Sequence, residues 1–201
     1  MPSWRSLLVS LLAAACASSS LGRRPVLGVP TAAGVHVEDH LETWNIPARN
    51  ASGVYNALRF GIPQAGGFGH AGYLQWNLRW TYRPIVDSSG CRVAEADVYL
   101  RTTLTLPVWN PPPQVAAMVV SEWDRFLHAV EVHEQGHRLI AVTAARRIRE
   151  AIMGVAAPSC AVLPSLVKIA TAPLLDELRR TEEQYDTETH HGATQGVAFR
   201  P

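Results

Sequence analysis

Residues 130–143 read VEVHEQGHRLIAVT. Phe126, Val130, Ile140 and Ala144 recur at helical spacing, and His133 and His137 fall on the same stripe. The pattern extends both ways. From residue 114 to residue 153 there is no proline and no glycine except Gly136. Val115, Val119, Trp123, Phe126, Val130, Leu139 or Ile140, Ala144, Ile148 and Ile152 trace one apolar face. Asn110 followed by three prolines is a helix start signal, and GVAAPSC (154–160) ends the run. A single helix this long is unusual, so a bend or break near Ser121 is anticipated.

Two inward imidazoles one turn apart, about 6 Å between Cβ atoms, can aim a nitrogen each at one small cation. Left unpartnered in a core they would cost a few kcal/mol. Core carboxylates are the other partner that would satisfy them, and a degenerate site that binds metal without catalysis is a third reading. Glu134, at the edge of that face, would not ligate. It would reach a water held by the metal and act as general base. Gly136 costs about 1 kcal/mol in a helix interior, which suggests a tight approach by another element.

A catalytic zinc needs a third protein ligand and an open position. The last helix, from Pro164 or at latest Pro173 to the Gly192 stop, carries the donors: Glu182, Glu183, Asp186, Glu188, His190 and His191. Tyr185 and Glu182 share its stripe with Leu174 and Leu178. Spacing alone does not choose among Glu182, Asp186 and His191.

Upstream the period changes to two. GYLQWNLRWTYRP and IVDSSGCRVAEADVYLRTTLTLPVW flank an Asp-Ser-Ser-Gly turn and read as an antiparallel hairpin, with one phase slip among Val93, Val98, Leu100, Leu104 and Leu106. Arg79, Arg83, Arg92 and Arg101 belong to its wet face. VHVEDHLETWNI suggests another strand, and ASGVYNALRFGIP a short helix before Gly61. QAGGFGHAG lacks the Gly-Lys-Ser/Thr of a phosphate loop.

The 201 residues suit one domain. A net charge of +1 offers no basic surplus for nucleic acid or an anionic membrane. The chain opens like an export signal: Arg5, then LLVSLLAAA, too short to span a bilayer. Residues 1–17 are read as a signal peptide and 18–34 as a linker. Cleavage falls at an A-x-A site, for example after Ala17, or before a lipidated Cys16 in LAAAC, whose Ala13 departs from the usual Leu. A periplasmic or secreted protein follows, touching a membrane only through that possible lipid. Cys91 and Cys160 then remain as an even pair in an oxidising compartment, which favours a disulfide around the motif helix.

HEQGH together with YDTETHHGATQG resembles a bacterial secreted family catalogued as domain of unknown function 922, described as predicted zinc-dependent proteases. Its pattern falls on Tyr185, Asp186, Thr189, His191, Gly192 and Gln195. YNALRFGIP, QWNLRWTY, Cys91, LPVW and Cys160 also resemble it, so the likeness covers roughly residues 35–196. The resemblance implies a bacterial source and tilts the third ligand to His191. Asp186 stands second, as ligand or as a partner orienting a ligand histidine. Tyr185 would donate to the oxyanion of a tetrahedral intermediate, or else is a core tyrosine with a satisfied hydroxyl. Gln195 would line the cleft. His36, His40, His70 and His128 read as surface or satisfied histidines, and Trp76, Trp80, Trp109 and Trp123 as core.

The expected fold is α+β over residues 35–201: an antiparallel sheet layer, a long HExxH helix and a closing C-terminal helix, a zincin-like arrangement. The expected function is a monomeric zinc metallopeptidase acting on a peptide or protein. His133, His137 and His191 would hold zinc, and Glu134 would activate the zinc-bound water. One alternative is a non-catalytic envelope protein with a closed structural metal site, in one form with Glu134 paired to Arg138 or Arg179. Another is an amidase of cell-wall peptides with the same chemistry.

Overall fold

The computed structural model describes residues 33–61 and 71–200. The signal, the linker up to residue 32, the lipidation of Cys16 and His70 lie outside the described residues. Seven elements follow in chain order: β1 (Val35–Asn45), α1 (Ala51–Phe60), β2 (Tyr73–Asp87), β3 (Gly90–Val108), α2 (Ala117–Met153), β4 (Ala156–Ala157) and α3 (Leu163–Thr189). A 3-10 turn at Ala193–Gln195 closes the described chain. The architecture is α+β.

β2 and β3 form the hairpin, turning at Asp87–Gly90. The phase slip has a structural cause. Arg83 faces Glu95 but Pro84 faces Val93, so Ala94 is an extra residue in β3. The bulge moves the buried set from odd positions (Cys91, Val93) to even ones (Ala96, Val98, Leu100, Thr102). Arg79, Arg83, Arg92 and Arg101 are all exposed, as expected.

The sheet is not purely antiparallel. Its order is β1-β3-β2, and β1 pairs with β3 in parallel, Val35 opposite Val98 through Asn45 opposite Val108. Only the tight turn between β2 and β3 forces reversal. β1 runs instead into α1, and the long excursion through α1 and β2 lets it lie beside β3 in the same direction. Two residues of β4 also pair with β3, opposite Cys91 and Arg92. Cys160 thereby comes within reach, and the Cys91–Cys160 disulfide is formed.

α2 runs unbroken for 37 residues, with no interruption at Ser121. It starts at Ala117 rather than at Asn110, because residues preceding proline are held out of the helical region. Its first half is seated in an aromatic cluster. Trp123 meets Trp109 edge-on at 5.7 Å between centroids, and Phe126 meets Phe199 at 5.9 Å. Ile46, Val54, Leu58, Leu106 and Val130 fill the rest. In its second half Val142, Ala145, Ile148 and Ile152 are buried.

Between these halves one polar tie fixes α2 against the sheet. Arg138 Nε and Nη2 each donate to an Asp39 carboxylate oxygen at 2.8 Å, and Thr102 Oγ1 donates to the same carboxylate at 2.6 Å. Arg138 is buried and Asp39 partly so. Arg138→Ala strands Asp39 against the sheet and is expected to cost about 3 kcal/mol in urea unfolding. A loss below about 0.5 kcal/mol would mean that water already satisfies Asp39.

Candidate metal centre

α2 presents His133, Glu134 and His137 on its buried stripe, each less than a tenth exposed. The two imidazoles stand edge to face, 5.0 Å between centroids at 85°. α3 supplies the third group. Asp186 Oδ1 lies 3.2 Å from His133 Nε2 and 3.1 Å from His137 Nε2. A tetrahedral zinc with bonds of 2.0–2.1 Å sets neighbouring ligand atoms about 3.3 Å apart. These spacings fit such an ion.

A chain of hydrogen bonds lies behind His133. Tyr185 donates its hydroxyl to the His133 carbonyl (3.1 Å) and accepts from Gln195 Nε2 (3.0 Å). That fixes the Gln195 amide, whose Oε1 sits 2.9 Å from His133 Nδ1. That placement suits a proton on His133 Nδ1, which leaves Nε2 of the neutral ring with a lone pair toward a carboxylate oxygen. A cation between these two lone pairs, 3.2 Å apart, would satisfy both. Protonating Nε2 as well is opposed by burial, which pulls the His133 pKa below its ordinary value. At His137 burial acts the same way but is outweighed by the carboxylates of Glu182, Asp186 and Glu134, and its pKa rises.

Two glycines permit this closeness. A Cβ on Gly136 would overlap the Tyr185 hydroxyl, so the glycine that looked costly on α2 is where α3 approaches. Tyr185 then stacks on His133, 5.1 Å between centroids at 12°, and meets His137 edge-on. Its hydroxyl donates to the His133 carbonyl within the fold. Gly192, at φ 79°, follows His190 and His191 at φ 51° and 52°. Three left-handed residues in a row reverse the chain after α3 and return Gln195 to His133. A Cβ on Gly192 would sit 3.0 Å from His133 Cγ.

Glu134 is 4% exposed and accepts the Leu74 backbone N–H. Burial, with Asp186 and Glu182 adding, pushes its carboxyl up to about 7 against the pull of His137. Neither arginine considered for it pairs with it here: Arg138 holds Asp39, and Arg179 holds Asp176. Glu134 lines a cavity of 600 Å³ that His133, His137, Asp186, Leu74 and Trp76 also border.

Asp186, second in the sequence reading, is thus the group at the convergence point. His191, the first choice, is 63% exposed with Nδ1 3.7 Å from Asp186 Oδ1. Among the described residues the converging donors are His133, His137 and Asp186. Gln195 sits behind His133 rather than along the cavity. Trp109 and Trp123 are core, while Trp76 and Trp80 are half-buried. His36, His40 and His128 meet Asp97, Glu38 and Glu131 on the surface. Gly72 was not singled out by sequence. A Cβ there would meet Val130 and Glu134, so its bareness lets β2 begin against the site.

A family model described as "Bacterial protein of unknown function (DUF922)" matches residues 41–192, and the chain belongs to that family. No curated protein and no solved structure matches it.

Proposed function

We propose that this chain is an exported zinc-dependent metallopeptidase of the HExxH, zincin-like kind. The observation that carries the reading is the convergence of two histidine Nε2 atoms on one Asp186 oxygen, beside a buried glutamate that faces a cavity. His133 and His137 would ligate through Nε2 and Asp186 through Oδ1. Bound zinc would supply a Lewis acid that polarises the scissile carbonyl and acidifies water. Glu134 takes the proton of the attacking water on its carboxylate and passes it to the departing amide nitrogen. The Leu74 N–H favours the charged form of that carboxylate, while burial keeps its basicity close to neutral pH. Tyr185 and Gln195 hold the proton of His133 on Nδ1, so that Nε2 is free to ligate.

A non-catalytic envelope protein with a structural clamp would close its site with four protein ligands. Among the described residues three donors converge here, and the cavity adjoins them. That observation favours the open, catalytic form. Export rests on the leader sequence and is supported by the disulfide.

The test is zinc uptake by the mature chain, dialysed with and without chelator, alongside hydrolysis of a peptide library. Wild type is expected to bind about one zinc and to lose hydrolysis reversibly on chelation. A structural zinc of 10–16 kcal/mol shared among four ligands averages roughly 3 kcal/mol each, so Asp186→Ala should weaken zinc by a hundredfold or more. His191→Ala should bind nearly as wild type. The reverse order would make His191 the ligand, and a wild type that takes up no metal would end the reading.

A further inference from the structure

Behind His137 lies a buried oxygen that nothing among the described residues satisfies. Glu182 Oε2 accepts the Trp76 indole N–H at 2.9 Å. Its Oε1 is shielded from solvent, has no hydrogen-bond partner among the described residues, and lies 3.9 Å from His137 Nδ1. Leaving a carboxylate oxygen in that state is unfavourable unless a donor comes to it.

The donor is at hand. When His137 ligates through Nε2, its proton must sit on Nδ1, and that N–H looks toward Glu182. The gap exceeds a normal N–H···O distance by about 1 Å. A small rotation of the ring would close it. Glu182 is not itself placed to ligate. Its Oε1 faces Nδ1 of His137 whereas Asp186 faces Nε2, and Glu182 is not among the donors that converge with Asp186.

We propose that Glu182 is a positioning residue for His137, anchored in turn by Trp76. The inference rests on the metal reading above. It gives each ligand histidine its own support: Tyr185 and Gln195 behind His133, Trp76 and Glu182 behind His137. It also makes β2 part of the metal centre, because Trp76 is a strand residue that borders the cavity and grips the carboxylate.

The test is zinc affinity by competition with a chromophoric chelator, paired with thermal unfolding of the metal-free chain. Glu182→Gln keeps the shape, but its amide can serve only one side. If its oxygen takes the Trp76 N–H, its NH₂ meets the His137 N–H. Affinity should fall 10–100-fold, the range for outer partners of metal ligands. The metal-free midpoint should not fall, since an unpaired buried carboxylate has been removed. Trp76→Phe leaves Glu182 in place without its anchor and should weaken zinc in the same direction by less; it decides alone if Glu182→Gln does not fold. Unchanged affinity in a wild type that binds zinc overturns this inference only. Loss of all binding, as expected for His133→Ala, would make Glu182 a ligand and overturn it too. A wild type that binds no metal overturns both readings together.

Discussion

Glu134→Gln is expected to keep about one zinc per chain and to lose about a thousandfold in peptide hydrolysis. The substitution is nearly isosteric. Its side-chain oxygen can still accept the Leu74 N–H, and no ligand atom is touched. What disappears is the proton acceptor facing the cavity. The loss should therefore fall on kcat, with KM and metal content close to wild type. Glu134→Ala would open space beside Gly72 and Val130 and confuse the two effects. If Glu134→Gln hydrolyses as fast as wild type, Glu134 is not the base. If it purifies without zinc, Glu134 belongs to the metal set, and the division of labour between neighbouring positions on α2 is wrong.

The pairing of the two histidines was legible because a helix has a period. Residues four apart share a face, so His133 and His137 were expected together, and the structure places them side by side with Glu134 buried next to them. The same argument found the α2 stripe, and the phase slip in β3 proved to be the bulge at Ala94. Strand direction was less accessible. Nothing in VHVEDHLETWN records whether its neighbour runs with it or against it, since pairing is decided by how the chain returns through α1 and β2.

The third member of the cluster was harder to place for a related reason. Glu182, Asp186 and His191 span more than two turns of α3 and its exit. Which one meets α2 depends on the rotation and height of α3. The contact between Gly136 and Tyr185 sets both. Sequence flagged Gly136 as costly but could not say what would fill the space. Once Tyr185 is seated there, Asp186, the next residue, reaches the histidines, and Glu182, one turn back, falls behind His137. Gln195 depends on three consecutive left-handed residues, a path that only Gly192 hints at.

Reducing the Cys91–Cys160 bond is expected to cost about 4 kcal/mol in urea unfolding, from the loop entropy released to the denatured chain. The two cysteines are 69 residues apart, and that loop contains all of α2. For a domain of this size the thermal midpoint should drop by roughly 10 °C. Zinc affinity should scarcely move in the reduced but folded protein. The bond joins the start of β3 to the approach to α3, whereas His133 and His137 sit midway along α2 and Asp186 near the far end of α3. Stability and metal binding then respond to different levers, which an oxidised and a reduced sample can separate, each titrated with zinc. A loss under about 1 kcal/mol would mean that the reduced, unfolded chain still holds contacts around the loop. A large fall in zinc affinity on reduction would mean that the tether, and not the packing of Tyr185 against Gly136, keeps α3 at the height where Asp186 meets the histidines.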